Sequence, residues 1–339
     1  MDTAAHPTPH RTVKLNDAGA LIAAIPSLMG FHPVDSLVVL AIKSSGLIGL
    51  TTRSDLGPPP LHAALVGRLV RPMQQVEAVA AVPVVVCAEA KPEHKDLALR
   101  TVAALEGVGL SIVHALWTPS TAGGVPWHCF LHEDCAGEVP EQSATELAAV
   151  MTYAGAVTYG SRDDLVRMLE PVDTQRMIRL SGLLDAAIRC DETPASEHLA
   201  TMSAAVTAGA LPTTDEELVR LAMALADYRV RDACLAFVLD RQLSAVAEKL
   251  WLELTRCLPP PERAEAAVLL AVSRYVHGDG AMANVALEHA QVALPVHNLA
   301  GMLRGALDYG LPRDQIRQVL ADAAADARIE IEEETKMPG

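Results

Sequence analysis

Ser36-Leu37-Val38-Val39-Leu40-Ala41-Ile42, followed by Lys43-Ser44-Ser45-Gly46 and by Leu47 to Arg53, decides the fold of the first half of the chain. An unbroken apolar run bounded by turn residues suits a strand buried on both faces. Lys43–Gly46 is turn chemistry and Leu47–Arg53 resumes as a second strand, so the pair reads as a β-hairpin. A turn centred on residues 44–45 sets Ser36 opposite Arg53. The preceding loop, Phe31 to Asp35, and the following one, Ser54 to Leu56, then share one end of the sheet. His32, Asp35, Ser36, Arg53 and Asp55 gather there as candidate ligand-binding residues. Such a cluster of acid, base, hydroxyl and guanidinium suits a pocket. It equally suits a structural Asp–Arg bridge that ties two loops.

Around the hairpin the pattern alternates. Asn16-Asp17 cap a helix with apolar positions Leu21, Ile22, Ile25, Leu28 and Met29; Pro26 is expected to kink or split it and Gly30 to end it. Helices are predicted over Leu61–Arg71 and Glu93–Glu106, and strands over Val82–Ala88, Leu110–Trp117 and Trp127–Leu131. That alternation predicts an α/β layer with a mixed sheet over residues 15–172, behind a disordered tail over 1–14. Two boxes, Ser143-x-x-Glu146 and Ser161-x-x-Asp164, open further helices.

Trp127-His128-Cys129-Phe130-Leu131-His132-Glu133-Asp134-Cys135 is the second candidate for chemistry. Cys129, His132 and Cys135 are zinc-ligand types at close spacing. No second ligand pair follows elsewhere, so no metal and no cofactor is expected, and a strand with a loop is the plainer reading. The chain carries no GxxxxGK[ST], GxGxxG, HExxH or GxSxG.

From about Gln175 the pattern is helical, punctuated by prolines at 194, 212, 259–261, 295 and 312. Short loops between helices imply antiparallel hairpins, so residues 173–325 read as an all-α domain and 326–339 as a frayed acidic tail. With Pro295 at the proline of the tetratricopeptide pattern, Leu270-Ala271 and Ala283, Leu287 and Ala290 fall on its repeat positions; Ala267 and Arg274 depart from it. The hairpin resembles a tetratricopeptide unit, with an irregular bundle as the alternative. Its groove candidates are Arg274, His277, Asp279 and Asn284.

Composition bounds the function. The 339 residues are 50% hydrophobic and 20% charged, ample for two cored domains. A net charge of −15 speaks against nucleic acid and anionic membrane as partners. The longest apolar run, Ala78 to Ala88, falls far short of the roughly 18 residues that suggest a membrane span. The first residues lack a signal-peptide pattern, and the six cysteines do not form a disulfide scaffold, so a reduced, cytoplasmic protein is expected.

Two blocks carry a resemblance. Ala24-x-Pro26-x-Leu28-x-Gly30-Phe31-x-Pro33-x-Asp35-Ser36-Leu37-Val38 with Arg53-x-Asp55-Leu56 is similar to the signature of the actinobacterial domain-of-unknown-function family 4192. Arg231-Asp232, Trp251 and the stretch His277 to Glu288 resemble its later blocks. Members often carry an adjacent Cys-Cys-Pro near the last strand; Cys135-Ala136-Gly137 departs from it, which weakens a metal or redox reading. The resemblance implies no activity. The sequence supports a protein-interaction or adaptor protein with a protein partner; the alternative is a small-ligand sensor or enzyme built on the polar cluster.

Overall fold

In the computed structural model of the chain, residues 17–141, 158–171 and 173–336 are described. The tail over 1–14 and the helix opened by Ser143-x-x-Glu146 lie outside them. The chain divides into two compact units, Met1–Asp164 with Leu307–Gly310 and Leu165–Ala306 with Leu311–Gly339. The division falls at Asp164, ahead of the boundary read at residue 172 and just inside the helix α4 (Arg162–Met168).

The first unit is a mixed sheet with helices on both faces. Helix α1 (Ala18–Met29) starts at Asp17, whose Oδ1 accepts the Ala20 N–H at 2.9 Å, and ends at Gly30 with φ 77°. Pro26 sits inside this single helix and does not split it. The hairpin strands are β1 (Ser36–Lys43) and β2 (Ile48–Asp55); α2 (His62–Val70), β3 (Ala78–Val86) and α3 (Pro92–Gly107) follow. Four short strands complete the sheet: β4 (Ser111–Ile112), β5 (Leu116–Thr118), β6 (Pro126–Cys129) and β7 (Ala136–Glu138). The order is β2-β1-β3-β5-β6-β7, with β4 beside β3. Strands β3 and β5 are parallel, joined through α3, and β1 is antiparallel to both its neighbours.

Strand β1 is buried on both faces, as its unbroken apolar run requires. Val38, Leu40 and Ile42 pack with Leu21, Ile22 and Ile25 of α1 on one face. Leu37, Val39 and Ala41 pack with Leu65 and Leu69 of α2 and Leu97 of α3 on the other. The hairpin register differs from the expected one by two residues: Ser36 faces Asp55, and Arg53 faces Val38. Gly46, with φ 78°, lengthens the loop to three residues between the bonded pair Lys43 and Leu47, and a bulge at Ala41/Ile42 adds one more step. A shift of two keeps every side chain on its face, so Ser36 and Arg53 remain diagonal neighbours. The strand expected over Leu110–Trp117 is instead the pair β4 and β5, with His114 in the break.

The second unit is helical: α5 (Thr174–Ile188), α6 (Ala195–Ala208), α7 (Asp215–Ala226), α8 (Tyr228–Ala233), α9 (Leu235–Leu239), α10 (Ser244–Cys257), α11 (Arg263–His277), α12 (Gly280–Ala293), α13 (Asn298–Tyr309) and α14 (Arg313–Lys336). Residues 266–273 of α11 are buried all round, which marks it as the central helix. It packs against α12 as a hairpin with Ala271 and Ala283 fully buried. The segment read as a frayed acidic tail is helical to Lys336. Ala324, Ala327 and Ile331 are buried along it, and Glu334 accepts from Arg229 Nη1 at 2.8 Å.

Candidate functional site at the hairpin end of the sheet

The carboxyl ends of β2, β3 and β5 and the start of β1 lie together, because Ser36 pairs with both Asp55 and Val86, and Val86 with Thr118. In α/β sheets ligands bind outside the carboxyl ends of strands, where the topology opens a crevice.

On the α1 face, Ser36 is fully buried; its Oγ donates to the Val34 carbonyl at 2.6 Å and accepts from Arg53 Nε at 2.9 Å. The Arg53 guanidinium stands 5.9 Å from the centre of the buried Phe31 ring and donates through Nη2 to Asp55 Oδ1. The Arg53 side chain is 14% exposed, whereas that of Asp55 is 80% exposed. Ser36, Arg53 and Asp55 therefore form one bonded chain. Asp35 is exposed, with φ 43° in the left-handed region, and its carbonyl accepts the Leu56 N–H at 2.8 Å, which ties the two loops. His32 turns instead to Thr121, Nδ1 to Oγ1 3.0 Å, and burial lowers its pKa from the ordinary value.

On the opposite face, the sequence reading missed a pair. Cys87, the residue after β3, has its Sγ 3.2 Å from His94 Nδ1 on α3 and donates to the Glu89 carbonyl at 3.2 Å. Burial is the main cause pushing this thiol above its ordinary pKa, so it is a protonated, buried group rather than a thiolate. Spacing alone could have suggested the pair, since His94 lies on the first turn of the helix that follows the strand.

The groove candidates of the helical unit are engaged within it. Arg274 meets Glu248 at 3.1 Å and Asp279 at 3.5 Å. His277 Nδ1 donates to the Ser273 carbonyl at 2.8 Å. Asp279 caps α12 through the Met282 N–H at 3.0 Å, and Asn284 Oδ1 accepts from Arg304 at 2.7 Å. More deeply placed is a chain that links Arg231, Glu265 and His297: Arg231 Nη1 and His297 Nε2 each lie 3.0 Å from Glu265 Oε2. Burial favours the neutral Glu265, yet its bonds to His297 and Arg231 hold its pKa below the ordinary value.

Among the described residues, one group has the types and closeness to hold a metal: His114, Cys129 and Cys135, whose ligand atoms lie within 4.8 Å of one another. His114 takes the place given to His132 in the sequence reading. The β4–β5 break sets it beside the β6–β7 loop, where Phe130 N–H donates to the Ala115 carbonyl at 2.7 Å. That adjacency is spatial, and no spacing in the sequence announces it.

No described helix is long and apolar enough to cross a membrane. No curated protein and no solved structure matches the chain. The family described as a domain of unknown function, DUF4192, matches residues 19–314, a span that takes in both the sheet with its Ser36–Arg53–Asp55 chain and the helical unit through α13, and the chain belongs to that family.

Proposed function

We propose that the α/β unit binds a small anionic metabolite at the hairpin end of the sheet, with Arg53 as the seat for its carboxylate or phosphate. One observation carries the reading: Arg53 is anchored from within by Ser36 and Phe31, while a carboxylate it holds belongs to the exposed Asp55. An ion pair with so exposed a partner contributes only about 0–1 kcal/mol, so an incoming anion displaces Asp55 at little cost. Arginine offers a planar two-bond fork that carboxylates and phosphates match. The positive φ of Asp35 beside the site is the kind of local strain that functional loops hold.

The test uses inorganic phosphate and citrate as probes on the full chain, read by thermal shift. Each anion is expected to raise the melting temperature of the wild type, more strongly in Asp55→Ala and not at all in Arg53→Ala. Equal response of all three proteins, or none in Asp55→Ala, rejects the seat.

A second reading, a protein-docking adaptor built on the tetratricopeptide-like hairpin, draws support from a separate observation. Val292, Val296 and Met302, around the turn from α12 to α13, are 83%, 87% and 65% exposed. Apolar side chains so open in an acidic chain suit a protein partner with an apolar anchor and a basic rim. Glutamate at Val292 and Val296 is expected to abolish capture of such a partner while leaving anion binding intact.

A further inference from the structure

At the other edge of the sheet from β2, three side chains from separate stretches converge. His114 comes from the β4–β5 break, Cys129 from the end of β6, and Cys135 from the residue before β7. The backbone fixes the two cysteines relative to each other: the Cys129 N–H donates to the Cys135 carbonyl at 2.8 Å, and the Cys135 N–H donates to the His132 carbonyl at 3.2 Å. Cys129 is buried against the α1-face core, while Cys135 and His114 are partly exposed.

We infer that His114 Nδ1, Cys129 Sγ and Cys135 Sγ form a zinc site with water in the fourth position. Zinc takes nitrogen and sulfur ligands tetrahedrally, with bonds of about 2.0 and 2.3 Å, so neighbouring ligand atoms stand about 3.6 Å apart. The Cys135 Sγ to His114 Nδ1 distance is 3.7 Å, which is already such an edge. The remaining edges, Cys129 to Cys135 and Cys129 to His114, lie within 4.8 Å and close by small rotations of the partly exposed Cys135 and His114 side chains. Binding deprotonates the two thiols and releases their protons to solvent, so affinity rises with pH. Both cysteines are free, so the thiols are available to a metal. The site pins the β6–β7 hairpin to the β4–β5 break, where the strands are only two to four residues long.

The site is separate from Arg53, so its failure leaves the anion seat untouched. The experiment loads the full chain with zinc under reducing conditions, removes free metal, and measures zinc per chain by elemental analysis. Cobalt substitution then reads thiolate ligation from its charge-transfer absorption. The wild type is expected to hold one zinc per chain and to give the cobalt–thiolate band. Cys135→Ser and His114→Gln, both at partly exposed positions, are expected to bind at least about a hundredfold more weakly, beyond the range for losing an outer-shell partner. Circular dichroism of the same variants confirms that they are folded. His132→Ala is expected to keep its zinc. Three results overturn the inference: no zinc on the reduced wild type, equal zinc in folded Cys135→Ser, or loss in His132→Ala as deep as in His114→Gln.

Discussion

Ser36→Ala probes the link on which the Arg53 site depends. The Ser36 hydroxyl is fully buried and makes two bonds, one to the Val34 carbonyl at 2.6 Å and one from Arg53 Nε at 2.9 Å. A neutral buried bond contributes about 1 kcal/mol and one to a charged group about 1.5–3 kcal/mol, so removing the hydroxyl is expected to cost about 2–4 kcal/mol. Alanine fits the same space, so cavity effects add little. A chain of two units need not unfold in one step, so a single unfolding free energy is the wrong measure. Native-state hydrogen exchange of the β1 and β2 amides by mass spectrometry reads the loss in the unit that carries it. On an Arg53→Met background the charged bond is already gone, and Ser36→Ala should then cost only about 1 kcal/mol. The reasoning is refuted if the cost is the same on both backgrounds, because Ser36 would then act through Val34 alone.

The helical unit yields further expectations. Ala283→Leu inserts volume at the fully buried α11–α12 contact and should cost about 1–3 kcal/mol, seen as faster exchange in both helices. Ile331→Ala should cost about 2–5 kcal/mol and loosen the end of α14, which limited proteolysis near residue 331 would register. The folded-state pKa of Glu265 is held below its ordinary value of 4.5 by His297 and Arg231 despite burial, so the carboxylate is stabilising above that value. That stability is lost as pH falls through the depressed folded value. Glu265→Gln should therefore lower the melting temperature at pH 7 and flatten its fall in acid; an unchanged acid limb would count against the network.

How far the residues announced this molecule varies with the physics of each element. The run from Ser36 to Ile42 could only satisfy its apolar side chains by burial on both faces, and the sheet places it between β2 and β3. The register missed by two for reasons of unequal visibility. Gly46 after two serines is a known three-residue loop signal, whereas the bulge at Ala41/Ile42 lies in a uniformly apolar stretch that gives no sign of it. Strand β7 escaped because Ala136-Gly137-Glu138 has neither β-branched nor aromatic residues and pairs only at the exposed edge. The terminal helix was readable: Ile316, Leu320, Ala324, Ala327 and Ile331 recur at helical spacing, but the acidic residues between them drew the reading toward a tail. Within the polar cluster, strand parity carried Ser36, Arg53 and Asp55 together, while the direction His32 takes depends on Thr121, far away in sequence.

The most direct measurement of the account is a calorimetric titration of citrate into the full chain and into Asp55→Ala at the same ionic strength. Removing the Asp55 carboxylate takes away one competitor for the Arg53 guanidinium and should tighten binding by about fivefold, as expected for a displaced pair contributing roughly 1 kcal/mol. Binding that is unchanged or weaker in Asp55→Ala, or that persists in Arg53→Ala, would contradict the anion seat.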